Sequence, residues 1–263
     1  MRTASAVVKW TEKGEDMKRV LVTGASSGIG AASARLLASD GWDVIATARR
    51  KDRLETLAQE SGVRYFPADL TKDNDVEALF DYCRQLGGIH ALVNNAGGAI
   101  GTESVALGDV ADWRAMYELN VVATLAVTQR FLAQLDSTPG DIVFITSTAA
   151  HESYPGGAGY SAAKHAEREI VTTLRLELVG EPVRVIEIAP GMVHTQEFSL
   201  VRMRGDQAKA NAVYAGIDSP LVAEDIAEAV RWTLSLPEHV NIDSLVIRPR
   251  EQANSVLKKR LRS

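Results

Sequence analysis

RVLVTGASSGIGAASARLLA, residues 19–38, passes from a β-branched run through a glycine-rich turn into a run of small and helix-forming residues. It reads as strand, turn and helix, and the glycines carry that reading. Gly24 permits a tight turn out of the strand. Gly28 lets the backbone approach a phosphate, and Gly30 lets the helix pack closely on the strand. Ser26, Ser27 and Ile29 complete the turn. The helix N-terminus that follows offers free N–H groups and a partial positive charge to an anion. The spacing is Gly-x-x-x-Gly-x-Gly, not the commoner Gly-x-Gly-x-x-Gly. Its place between a strand and a helix nevertheless predicts a dinucleotide pyrophosphate site.

Outward from that turn, short apolar runs alternate with longer helical periods. The runs at 19–23, 43–47, 63–66, 90–94, 141–146, 183–189 and 244–247 read as strands. Helical stretches lie near 29–40, 52–60, 73–86, 112–135, 158–179 and 222–235. Most of the strand runs are continuously apolar, as strands covered by helices on both faces must be. The pattern predicts an α/β fold: a single-domain Rossmann-type, doubly wound parallel sheet of seven strands. The domain is expected over 18–250. Residues 1–17 lack periodicity and read as a disordered extension, with Met17 a candidate start of the chain. Residues 195–219 interrupt the alternation, as substrate lids do. The tail, 251–263, ends in KKRLRS and reads as a solvated terminus.

A length of 263 residues suits one α/β core. The net charge of −5 supplies no broad basic face, which argues against a nucleic-acid or anionic-membrane partner. No run approaches the ~18 apolar residues of a bilayer span. The N-terminus lacks a signal-like apolar centre, so a cytoplasmic location is expected. The lone Cys83 falls in a helical run as an inert thiol, and scattered histidines offer no metal spacing.

The second strand ends Ala46-Thr47-Ala48-Arg49-Arg50, with no carboxylate for a ribose 2′-hydroxyl. Arg49 and Arg50 suit a 2′-phosphate instead, pointing to NADP(H) over NAD(H). Asp69, after the third strand, is placed to accept from an adenine amino group.

TGASSGIG (23–30), NNAG (94–97), ITS (145–147), YSAAK (160–164) and PGMVHT (190–195) stand in an order and spacing that resemble the short-chain dehydrogenase/reductase family. The likeness spans residues 18 to about 250. It implies a catalytic set of Asn120, Ser147, Tyr160 and Lys164. Leu70, Asn95, Ala96 and Gly97 join the implied cofactor set, Asn95 beside the adenine-side ribose. Lys164 is implied on the nicotinamide-ribose hydroxyls, with Pro190, Gly191, Val193 and Thr195 against the carboxamide. EFSLVRMRGD (197–206) and LPEHVNIDSLVIRP (236–249) resemble a narrower branch. It comprises NADP-dependent dehydrogenases of 3-hydroxy acids such as serine, and a related reductase yielding clavulanic acid. The family's assembly implies a homotetramer through the last strand and helix 222–235.

A phenol titrates near 10, too high for an efficient base at neutral pH. Lys164, one helical turn after Tyr160, puts an ammonium on the same face and is expected to favour phenolate together with a cationic nicotinamide. Ser147 follows the fifth strand at its carboxyl end, where it can hold a substrate oxygen. Asn120, read without the family, is a polar break in a helix; the family makes it the seat of a water linking Lys164 to solvent. The small-molecule substrate is expected between residues 151–156, 98–102 and the lid. Arg202, or a tail arginine from a neighbouring subunit, reads as a carboxylate anchor, with a solvated helix residue as the other reading of Arg202; His151 and Glu152 read as specificity residues. A 3-hydroxy acid dehydrogenase, an aldehyde or ketone reductase of secondary metabolism and a dinucleotide sensor without turnover all remain open at this point.

Overall fold

The computed structural model describes residues 17–135, 139–195 and 197–259. The predicted extension thus lies outside the described residues except for Met17. The described strands are β1 (Arg19–Thr23), β2 (Asp43–Ala48), β3 (Arg64–Pro67), β4 (Ala91–Asn94), β5 (Gly140–Ile145), β6 (Val183–Pro190), β7 (Val193–His194), β8 (Leu221–Val222) and β9 (Ser244–Ile247). Seven of them form one parallel sheet in the order β3-β2-β1-β4-β5-β6-β9. Strand order reverses between β1 and β4, which opens a crevice at their carboxyl ends. β7 and β8 pair separately, Val193 opposite Leu221.

Alternation along each strand sorts side chains onto two helical layers. Val20 and Val22 of β1, with Val143 and Ile145 of β5, face α1 (Gly28–Ser39), α2 (Lys51–Ser61) and α9 (Ala223–Ser235). Leu21, Ile142 and Phe144 face the opposite layer of α3 (Asp73–Gln85), α5 (Ala123–Leu135) and α6 (Ala158–Glu177). The run of Gly, Ala and Ser in α1 lets it pack against α9. Cys83 lies wholly buried in the second layer, where burial pushes its thiol up to about 12. Such a thiol is inert.

Ion pairs gather at the amino ends of the strands. Asp43 accepts from Arg19 (2.9 Å) and Arg64 (3.0 Å), and Asp141 from Arg184 (2.5 Å).

The helix expected over 112–135 is broken. α4 (Val110–Tyr117) leads into a π-helical turn, Glu118–Val122, before α5 begins. At its centre the buried Asn120 donates to the carbonyls of Met116 (2.7 Å) and Gly98 (2.9 Å). The side chain ties the widened turn to the loop after β4. Between β7 and β8 lie α7 (Phe198–Arg202) and α8 (Gln207–Ala212), within the segment expected to be a lid.

Candidate active site

The phosphate turn is pinned from beneath. Thr23 Oγ1 donates to the Val93 carbonyl (3.2 Å) and accepts from Asn95 N (2.9 Å) and Ala96 N (3.0 Å). The Asn95 amide donates to the Thr23 carbonyl (2.8 Å), so its side chain braces the turn. Gly28 has a φ of +53°, a conformation that L side chains rarely adopt. A Cβ on Gly30 would stand 2.5 Å from both the Gly24 carbonyl oxygen and the Asn95 amide nitrogen. Gly30 is therefore required by the turn itself, beyond the helix–strand packing expected of it.

The residues fit a dinucleotide. Ser27, the N-cap of α1, makes no side-chain cap bond, leaving the first-turn N–H groups to an anion. Beside the turn, Arg50 donates to Ser26 Oγ (2.9 Å) and Ser27 Oγ (3.0 Å). Arg49 is exposed, and its charge helps to hold the Asp69 carboxyl below its ordinary range, after the stronger hydrogen bond from Thr71. Leu70 is buried behind Asp69. At the other side of the crevice, Gly191 N is spent on the Ile247 carbonyl (2.7 Å) and Met192 N on Gln252 Oε1 (2.7 Å). Pro190 closes β6, Val193 opens β7, and Thr195 reaches Gly28.

Tyr160 and Lys164 occupy the first two turns of α6, both buried. Ser147 caps a 3₁₀ turn, Thr148–Ala150, through its bond from Ala149 N (3.1 Å), which aims its hydroxyl at the Tyr160 phenol. Burial pushes that phenol up; the Lys164 ammonium and the Ser147 hydroxyl pull it down without overcoming burial. The expectation of phenolate joined Lys164 to a cationic nicotinamide, and without that second cation burial prevails. The chain alone keeps Tyr160 protonated, leaving any further depression to a cationic nicotinamide.

Lys164 donates to the Ile145 carbonyl (3.2 Å) and lies 2.5 Å from Glu167 Oε2. Burial alone would lower the ammonium, but Glu167, Tyr160 and Glu187 together hold it above its usual value. Burial pushes Glu167 itself up to about 7, against the pull of Lys164. A Cβ on Gly97 would meet Asn120 Oδ1 at 2.7 Å and Lys164 Nζ at 3.3 Å, so these two groups converge on one point of the loop after β4.

The three segments predicted to bound the substrate meet at Arg202. Its guanidinium donates to the carbonyls of Gly101 and Gly156 (3.2 Å each) and to the Tyr154 hydroxyl (2.9 Å). It lies 5.8 Å from the Tyr160 ring centroid. Arg202 is thus an inserted cation, not a solvated helix residue. Phe198, one turn earlier on α7, packs edge-on against Tyr160 at 5.8 Å. His151 is turned toward the buried Glu187 (3.1 Å), which also accepts from Thr146 Oγ1 (2.8 Å).

A family model described as short chain dehydrogenase matches residues 18–204. The chain belongs to the short-chain dehydrogenase family. A family relative from Mycobacterium tuberculosis, described as an oxidoreductase, is 55% identical over 240 residues, covering 90% of this chain and 94% of that protein. Serine 3-dehydrogenase of Agrobacterium fabrum is 40% identical over 240 residues, covering 89% and 94%. Among solved structures, the closed form of serine dehydrogenase complexed with NADP+ superposes with a TM-score of 0.85 at 37% identity, covering 93% of this chain and 100% of that one.

Within this short-chain dehydrogenase, sequence reasoning missed Glu167, Glu187 and Glu197, and it reached Tyr154 and Phe198 only as parts of the segments expected to bound the substrate. Glu167 follows Lys164 by three residues, a helical neighbour spacing that could have been read. The others reach the site only through tertiary contacts. The tail is a further surprise. Glu152 Oε1 accepts from Arg248 (3.1 Å), Ser255 N (2.9 Å) and Ser255 Oγ (2.9 Å), folding residues 249–259 back beside the site. No group of His, Cys, Asp and Glu among the described residues could hold a metal ion. No described helix is long and apolar enough to cross a membrane.

Proposed function

We propose that this oxidoreductase interconverts a small 3-hydroxy acid, of the serine or 3-hydroxypropionate class, and its 3-oxo counterpart. Its cofactor is NADP(H), in keeping with the Arg49–Arg50 pair and with the NADP+ complex of its structural relative. Arg202 carries the substrate reading. Its positive charge points at the catalytic tyrosine, and carbonyls, a hydroxyl and two aromatic rings surround it. No carboxylate among the described residues pairs with it. A substrate carboxylate would supply the missing charge through a bidentate contact.

Bound NADP(H) supplies or accepts the hydride. Gly24 to Gly30 and the α1 N-terminus bind its pyrophosphate, Arg49 and Arg50 its 2′-phosphate, and Asp69 and Leu70 flank the adenine. Asn95, Ala96 and Gly97 line the ribose side, and Pro190 to Thr195 the carboxamide side. Ser147 orients the substrate oxygen, and Tyr160 gives it a proton in reduction or takes one in oxidation. Lys164 keeps its ammonium beside the phenol and the cofactor ribose, and Asn120 links it through water to solvent. A phenol held above its ordinary value is protonated in the chain alone, the form that gives a proton to the carbonyl oxygen in reduction. The lid carries Phe198 and Arg202 over the site. Exposed Trp232 on α9 and Val246 on β9 support assembly as a homotetramer through this edge.

Steady-state kinetics of Arg202→Ala test the reading. The KM for L-serine and 3-hydroxypropionate is expected to rise tenfold or more, since a lost charge-assisted pair costs about 1.5–3 kcal/mol. Turnover of an uncharged alcohol should stay near the parent's. An unchanged KM for both acids would remove Arg202 as the anchor.

A further inference from the structure

Just beyond Thr195 the chain crosses back over the phosphate turn. Glu197 Oε2 lies there 2.6 Å from Arg50, and its other oxygen 3.9 Å from Arg53. The same carboxylate accepts from the Ser27 hydroxyl. Arg50 in turn holds Ser26 and Ser27. The Thr195 methyl stands 3.3 Å from where a Cβ on Gly28 would be, so this segment lies directly on the turn. One carboxylate of the chain has therefore gathered the donors that a dinucleotide's phosphates require: a guanidinium and a serine hydroxyl beside a helix N-terminus. Carboxylate and phosphate oxygens recruit such donors by the same charge-assisted bonds. The Arg50 bond, followed in strength by the Ser27 bond and the charges of Arg50 and Arg53, holds the Glu197 carboxyl below its ordinary range despite partial burial. It is anionic at neutral pH.

The geometry points to Glu197 as an internal anion that competes with the phosphates of NADP(H) for Arg50 and Ser27. This rests on the assignment of Arg50 to the 2′-phosphate. Glu197 is also the N-cap of α7, whose Phe198 and Arg202 face Tyr160. When the cofactor takes Arg50, Glu197 must leave, and the segment that positions the substrate-facing side chains is released from the turn. Cofactor binding and lid position become one equilibrium.

Binding constants, not turnover, test this. NADPH and adenosine 2′,5′-bisphosphate are titrated by calorimetry into the parent, Glu197→Gln and Arg50→Ala proteins, with NADH titrated as well into the parent and Arg50→Ala. Glu197 is part-exposed, so its amide isostere is expected to leave the fold intact. Glu197→Gln is expected to bind both ligands about fivefold more tightly at low salt, the upper range for an exposed pair. That gain should shrink as salt screens the pair. Unchanged affinity overturns the proposal. Weakened affinity overturns it too, and would make Glu197 a clamp closing on bound cofactor. Arg50→Ala examines the assignment beneath it: a variant that keeps the parent's preference for NADPH over NADH removes Arg50 from the 2′-phosphate, whatever Glu197→Gln does.

Discussion

At the scale of the residue, the site is a contest between burial and charge. Tyr160, Lys164 and Glu167 are all buried, and each would be neutral if burial alone decided. Contact at 2.5 Å keeps Lys164 charged, at the expense of a carboxylate forced to ionise inside the protein. Glu167 makes that cost measurable. A carboxyl whose pKa is raised in the fold adds stability below its unfolded value near 4.5, and loses that contribution as pH climbs through about 7. Thermal melts of Glu167→Gln should therefore gain on the parent as pH rises across that window. Parallel curves from pH 4.5 to 7 would contradict the buried-charge account. Tyr160 and Lys164 were legible as a pair from their spacing, whereas the outcome of their contest was not. Spacing reports proximity on a helix face, but burial depends on what the rest of the chain packs above it.

Among the elements, the loops at the carboxyl ends of the strands do the positioning. The π turn between α4 and α5 exists because Asn120 bonds backward to Met116 and sideways to Gly98. Sequence reading put a polar break at Asn120 but kept one helix over 112–135, without the widened turn. The tail shows a similar limit nearer the core, while its end from residue 260 lies outside the described residues. Its charged end suggests solvent, yet Gln252 seats Met192 and Ser255 binds Glu152, both through partners at least 60 residues away. Removing the acceptor shared by three donors should loosen this element. Glu152→Ala is expected to lower Tm by about 2–6 °C, for a loss of about 1–2 kcal/mol. Amide exchange over 250–259 should quicken at the same time. Parent-like exchange there would show that Glu152 does not anchor the tail.

Across the whole molecule, stability and chemistry sit at opposite ends of the sheet. The Arg19–Asp43–Arg64 and Asp141–Arg184 pairs close the amino ends, and the phosphate turn, Ser147 and the lid stand at the carboxyl ends. Asp141→Ala leaves Arg184 buried and without its carboxylate, a loss of about 3–5 kcal/mol. Tm should fall by roughly 10 °C. The NADPH Kd of the folded variant should match the parent's, and a Kd that moved with stability would break this division.

The sequence by itself determined the sheet and its cofactor turn. Strand and helix periods are local, and the positive φ of Gly24 and Gly28 belongs to the turn itself. The same holds for Tyr160 and Lys164, one helical turn apart. Only the tertiary structure decided that Glu197 lies on the phosphate turn, that Arg202 faces Tyr160 and that Glu152 holds the tail. Those contacts join segments from 42 to 170 residues apart, and no local period encodes which side chains will meet once the sheet has brought its loops together.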